Sequence, residues 1–162
     1  MQSVALIARD GSIDWCCLPR MDSPSVFGAI LDAGKGGCFR TGPVSGGQGS
    51  QKYIQESNVL VTSFAIDDAV LTVTDLMPLE GDINGRNISF APAEVHPLVK
   101  CRGNGVEVEV RWCPRFDYAR QSVDVERTAE GWIARAGQEA MRLLGLENAE
   151  RTADDHGPLV RA

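Results

Sequence analysis

The sequence has 162 residues, 43% of them hydrophobic and 23% charged, enough for one ordinary domain and close to the globular average. Sixteen basic side chains against twenty-two acidic ones leave a net charge of −6, the wrong sign for a nucleic-acid surface. No apolar run approaches the roughly 20 residues of a membrane span, and the first ten residues lack the basic-then-apolar pattern of a secretory signal.

Seventeen glycines and eight prolines punctuate the chain often, which suits many short strands better than a few long helices. Residues 4–8 and 12–18 are two β-prone runs joined by Asp10-Gly11, a strong hairpin dipeptide. Their alternation predicts that Trp15 shares a buried face with Ile13. Asp22-Ser23-Pro24 then predicts a short two-turn helix over residues 24–31, with Pro24 near its first position and Asp22 able to cap it. Residues 37–41 form a short candidate strand, and residues 53–66 a long one turning at Asp67-Asp68 into residues 69–77. Residues 81–92 read as a polar loop. Residues 94–101 and 106–112, joined by Gly103-Asn104-Gly105, read as a second hairpin, and residues 122–127 and 132–135 flank a turn at Glu130-Gly131. Residues 138–146 are ambiguous between helix by propensity and strand by context. This succession predicts an all-β antiparallel sandwich formed as a single domain over residues 1–162.

Five cysteines, Cys16, Cys17, Cys38, Cys101 and Cys113, are odd in number and show no C-x-x-C spacing, so free thiols in a reducing, cytoplasmic setting are expected. His96 and His156 stand far apart with no second ligand at metal spacing, and neither metal nor cofactor is expected. The segment from Gly28 to Gly34-Lys35-Gly36 fails as a phosphate loop. Five residues separate its glycines where four are needed, and Gly36 takes the place of the magnesium-binding hydroxyl. Asp10, Asp14, Asp22, Asp75 and Asp117 sit beside apolar or aromatic residues and could serve an acid–base pair, but turn capping and pairing with Arg9, Arg20 or Arg115 is the plainer role. Trp15, Trp112 and Trp132 could make a sugar platform; their alternating neighbours favour core packing.

The residues of the first hairpin, Ala5-Leu6-Ile7-Ala8-Arg9-Asp10-Gly11-Ser12-Ile13-Asp14-Trp15, and the following Asp22-Ser23-Pro24-Ser25-Val26-Phe27 closely resemble the start of bacterial glycoside hydrolase family 15 proteins, the glucoamylase-like and trehalase-like enzymes. Val73-Thr74-Asp75-Leu76-Met77-Pro78 and Pro114-Arg115-Phe116-Asp117-Tyr118 agree in order, so the resemblance spans residues 5–136. It implies the family's N-terminal β-sandwich (supersandwich-like). The hydrolytic glutamates would lie on a following (α/α)6 barrel, so no catalytic residue is expected in this chain. Relative to the family pattern the domain reads as truncated at both ends, and residues 88–101 match poorly.

The function expected from these readings is that of a non-catalytic accessory domain packing on a barrel and lending a loop to its sugar pocket. An α-glucoside or trehalose would be met only in that context. Arg20 and Asp22, on a loop held between rigid elements, are the candidate sugar contacts. A stand-alone carbohydrate-binding or structural sandwich is the alternative. Open strand edges predict self-association of the chain by itself.

Overall fold

The chain enters through the hairpin its sequence predicts, β1 (Val4–Ile7) paired antiparallel with β2 (Ser12–Cys17). Gly11 closes the turn at φ +83°, with its N–H donating to Ala8 O at 3.1 Å. A Cβ at Gly11 would collide with the Thr41 carbonyl, so the left-handed backbone and the close approach both require glycine. The computed structural model describes residues 3–82, 87–146, 149–154 and 157–161.

In β2 the alternation breaks. Ile13 pairs with Ile7 and Trp15 with Leu6, which leaves Asp14 as an extra residue, a β-bulge. Past the bulge it is Cys16 that joins Ile13 in the core, while Trp15 is turned outward and only half-buried. The expected burial of Trp15 beside Ile13 is therefore corrected: a one-residue shift sends each following side chain to the other face.

Next comes β3 (Ser25–Phe27), where a helix over residues 24–31 was expected. All three of its side chains are buried, and Ser25 and Phe27 pair with Cys17 and Cys16. A helix would bury one stripe of this segment, whereas a strand covered on both faces buries every residue. The β-branched Val26 and aromatic Phe27 follow the strand. Gly28 N–H then bonds Gly36 O at 2.8 Å, closing a loop where the second helical turn was placed.

β4 (Phe39–Pro43), β5 (Ser50–Tyr53), β6 (Leu60–Ile66), β7 (Ala69–Leu76), β8 (Glu80–Asp82), β9 (Asn87–Phe90), β10 (His96–Arg102) and β11 (Val108–Trp112) precede a single helical turn, α1 (Phe116–Ala119). β12 (Asp124–Thr128), β13 (Gly131–Ala136), β14 (Glu139–Leu144), β15 (Glu150–Asp154) and β16 (Gly157–Arg161) complete the described elements. The ambiguous segment at 138–146 is thus a strand. The stretch expected as one long strand over 53–66 is split by a turn at 54–59, and the polar loop at 81–92 contains part of the β8–β9 hairpin, apart from residues 83–86, which lie outside the described ones.

The larger sheet runs β1-β2-β4-β11-β16-β15, with β3 and β4 sharing one edge of β2. A four-stranded sheet, β10-β7-β6-β5, and a three-stranded one, β12-β13-β14, are also antiparallel. Phe64, Leu71 and Val73 of the four-stranded sheet pack with Val108 of β11, while Val125, Trp132, Ala134 and Leu143 of the three-stranded sheet share a core with Ile13, Phe39 and Trp112. Two smaller sheets therefore cover one large one, an all-β sandwich as expected. β10 and β11 do not form the expected hairpin: β10 pairs with β7 and β11 with β4, so residues 103–107 cross between sheets. Gly103 at φ +93° makes that corner, and Asn104 Nδ2 braces it by donating to Asp68 Oδ2 at 2.6 Å.

α1 is left-handed. Asp117, Tyr118 and Ala119 have φ of 49°, 57° and 60°, a conformation that costs L-residues roughly 1–2 kcal/mol each. Buried Phe116 and the Arg115 N–H, donated to Val26 O at 2.9 Å, pin the turn against β3.

Two reciprocal substitutions test these backbone assignments. Gly11→Ala is expected to destabilise by at least about 2 kcal/mol, a fall in Tm of roughly 4–8 °C by calorimetry. Ala119→Gly is expected to raise stability by about 0.5–1 kcal/mol, because glycine adopts the left-handed turn without strain. Melting temperatures moving in the same direction for both would contradict the assignment.

Candidate functional site

Four of the five carboxylates singled out in the sequence are engaged. Asp10 Oδ1 accepts from Ser12 N–H at 3.1 Å, and its Oδ2 lies 3.7 Å from Arg40 Nε; Asp14 Oδ1 accepts from Ser12 Oγ at 2.6 Å. Asp117 Oδ1 lies 3.9 Å from Arg120. Asp22 takes a two-pronged bond from Arg20, with Nε to Oδ1 at 2.8 Å and Nη2 to Oδ2 at 3.1 Å. Turn capping and pairing thus account for these four, with Arg40 and Arg120 in place of the expected Arg9 and Arg115.

Arg20 and Asp22 lie together on the loop between β2 and β3, and their side chains are 70% and 71% exposed. The hydrogen bond and charge of each hold the Arg20 guanidinium above its ordinary pKa and the Asp22 carboxyl below its own. The loop is tied by Arg20 N–H to Ser23 Oγ at 3.3 Å and Ser23 N–H to Arg20 O at 3.1 Å, so Asp22 caps no helix. The pair is a donor fork and an acceptor presented side by side to solvent.

Asp75 is the exception. It continues the inward row of Ala69, Leu71 and Val73 on β7, is only 4% exposed, and its Oδ2 has no hydrogen-bond partner. Its cross-strand neighbours are Leu60 on β6 and Pro97 on β10. A leucine side chain offers no donor and proline no N–H. Burial alone pushes the Asp75 carboxyl from 3.8 to about 6. The alternation of Leu71, Val73 and Asp75 with Thr72 and Thr74 is a sequence signal that Asp75 points inward; that it meets no donor there depends on its cross-strand neighbours, which no local window contains.

The two places adjoin. Val4 pairs with Cys17, one residue before Leu18 and the Arg20 loop, and Ser3 Oγ lies 3.6 Å from Met77 Sδ, two residues past Asp75. Leu18 and Met77 pack against the same core. On the other side of β3 the left-handed turn presents Tyr118, whose ring lies 6.0 Å from that of Trp15 and 5.3 Å from the Arg120 guanidinium. Two motifs about a hundred residues apart in sequence meet there. Trp112 and Trp132 are buried, so of the three tryptophans only Trp15 reaches this surface. At the far end of the four-stranded sheet a cavity of about 500 Å³ is lined by Ser45, Asp67, Asp68, Asn104 and Glu107. Among the described residues no three His, Cys, Asp or Glu side chains are placed to hold a metal ion. No helix of the described residues is long and apolar enough to cross a membrane.

Comparison with known proteins gives a consistent answer. The family described as "Trehalase-like, N-terminal" matches residues 1–148. The chain is 36% identical over 152 residues to a trehalase of Thermoplasma acidophilum, covering 92% of this chain and 25% of that protein. It is 34% identical over 176 aligned positions to a trehalase of Mycolicibacterium smegmatis, covering 94% of the chain and 26% of the relative. It is 42% identical over 140 residues to trehalase 2 of Sulfolobus acidocaldarius, covering 85% and 22%. The chain therefore spans about a quarter of the length of these relatives. No solved structure matches it.

The unpartnered carboxyl makes stability depend on pH. With the folded pKa raised from 3.8 to about 6, the contribution is fully present below about pH 4 and is lost as pH rises through about 6. The loss amounts to roughly 2–3 kcal/mol at 1.36 kcal/mol per unit. Asp75→Asn is expected to flatten the Tm profile between pH 4 and pH 7 and to raise Tm at pH 7.5 by about 5 °C or more. A profile of unchanged slope in the variant would contradict the origin assigned to it.

Proposed function

Since the chain belongs to the trehalase-like N-terminal family, we propose that it is a non-catalytic accessory domain of an α-glucoside hydrolase of the trehalase or glucoamylase type. It packs on a catalytic (α/α)6 barrel and lends the Arg20–Asp22 loop to the rim of the sugar pocket. The observation that carries this reading is that 148 residues match a family defined as N-terminal while the chain spans about a quarter of each trehalase. The geometry agrees in kind. Glycoside hydrolysis needs two carboxyl groups facing each other across a bond, and the buried Asp75 has no such companion among its cross-strand neighbours. Arg20 can donate to sugar hydroxyls and Asp22 accept from them. Their mutual ion pair holds both in one orientation before a ligand arrives.

Two further parts of the reading rest on particular features. A cytoplasmic setting is supported by the free thiols, three of them buried, with Cys16 pushed up to about 12 by burial and therefore unreactive. Self-association through strand edges is supported by β1 and β15 standing at the two ends of the larger sheet.

The test is a chimera in which this chain replaces the matching quarter of the Thermoplasma acidophilum trehalase. The chain alone is expected to show no turnover of trehalose or maltose, and the chimera to hydrolyse trehalose. Arg20→Ala in the chimera is expected to lower kcat/KM by about tenfold or more, the loss of one or two charged hydrogen bonds, at unchanged Tm. Turnover by the pure chain, or a fall in Tm matching the fall in activity, would contradict the respective part.

A further inference from the structure

We propose that the end of the four-stranded sheet built around Asp75 is the surface on which the catalytic portion of the full-length protein docks, and that Asp75 there accepts a guanidinium or ammonium donor from that portion. The proposal rests on the accessory-domain reading above and names the surface and the bond that reading requires.

Its first support is the row of residues that crosses the sheet. Tyr53, Leu60, Asp75 and Pro97 are consecutive cross-strand partners on β5, β6, β7 and β10, so they lie on one face. At this end the chain turns at residues 54–59 and leaves β7 through Met77, Pro78 and Leu79. The rim is open and mixed: Tyr53 is 65% exposed, Leu79 59% and Ile54 48%, and the turn beside them exposes the polar residues Gln55, Glu56, Ser57 and Asn58. Large apolar side chains left exposed at the end that holds a buried polar group, with polar residues at their margin, match an interface core and its rim better than a solvated sheet end.

The second support is the carboxyl itself. A buried acceptor without a donor costs on the order of 1–3 kcal/mol and more when charged, and the other four carboxylates discussed above each have a donor or cation within reach. Neither cross-strand neighbour of Asp75 offers it a side-chain donor, and its Oδ2 has no hydrogen-bond partner. A donor arriving from outside the domain would remove the cost. Charge selects the donor: Glu94 stands just before β10, 2.9 Å from His96, and the chain carries −6 overall. A cationic side chain is favoured at such a site and a carboxylate excluded. The source of that donor is argued from length. Three quarters of each trehalase relative lies outside the region this chain matches, and the Arg20 loop adjoins the Asp75 end across the start of β1. One partner can cover both.

The experiment compares Asp75→Asn in the isolated chain and in the Thermoplasma acidophilum chimera at pH 7.5. In the isolated chain the substitution removes an unpaired carboxylate and is expected to raise Tm. In the chimera the carboxylate is paired, and the same substitution is expected to lower Tm by several degrees and to lower trehalose turnover with it. This reversal of sign is what a purely structural liability cannot produce. An active wild-type chimera in which Asp75→Asn raises Tm, as it does in the isolated chain, overturns the docking assignment and leaves the accessory-domain reading intact. A wild-type chimera without trehalose hydrolysis overturns that reading and the proposal together. A concentration-dependent dimer of the isolated chain that Asp75→Asn abolishes would assign the surface to a second copy and overturn the proposal.

Discussion

The extra residue at Asp14 in β2 is the constraint on which the surface of this domain depends. Without it, Trp15 would follow Ile13 into the core, and Cys16 would face solvent. With it, Ile13 and Cys16 fill the core with Phe39 and Trp112, and Trp15 is left outside against Tyr118. The same strand divides its second edge between two partners. Ser12 and Ile13 pair with β4, while Cys16 and Cys17 pair with β3. The bulge separates the two and lets the strand twist between them. β3 in turn holds α1, and the burial of Phe116 and the bond from Arg115 to β3 help sustain its left-handed backbone. The exposure of Trp15 beside Tyr118 therefore follows from one inserted residue.

Most local choices in the chain agree with the fold, which is what gives a sandwich of short strands a single native arrangement. Gly11 supplies the first turn, Gly103 the corner between sheets, and alternating apolar residues on β6 and β7 supply one inner face. Asp75 breaks the rule. It occupies an inward position of the kind that Leu71 and Val73 fill with apolar side chains four and two residues earlier. An inward carboxylate without a donor lowers the stability of the isolated domain, and such violations concentrate where a protein meets something else.

The class of fold was legible because hairpin dipeptides and period-two alternation are local signals, and Asp10-Gly11 and Asp67-Asp68 turn where expected. The helix over residues 24–31 was misread for an equally physical reason. Proline after Asp-Ser is a good local start for a helix, but Val26 and Phe27 are claimed by pairing with β2, a contact no window of the sequence contains. The hairpin assigned to β10 and β11 failed likewise, since only the rest of the sheet order shows that each strand has a better partner elsewhere. Arg20 and Asp22 were legible as a loop pair, and their direct ion pair was one of the alternatives open to Arg20. The approach of Tyr118 to Trp15 and the orphaned state of Asp75 were not legible, because both arise from tertiary register.

On the docking proposal, the end of the sandwich bearing the Arg20 loop and Asp75 is surface in this chain and interface in the full-length protein. Hydrogen–deuterium exchange, read peptide by peptide on the isolated chain and on the chimera, tests it most directly. Slower exchange in the chimera is expected for peptides covering residues 16–27 and 75–82, with β12, β13 and β14 unchanged. Equal protection of those peptides in both proteins would contradict it.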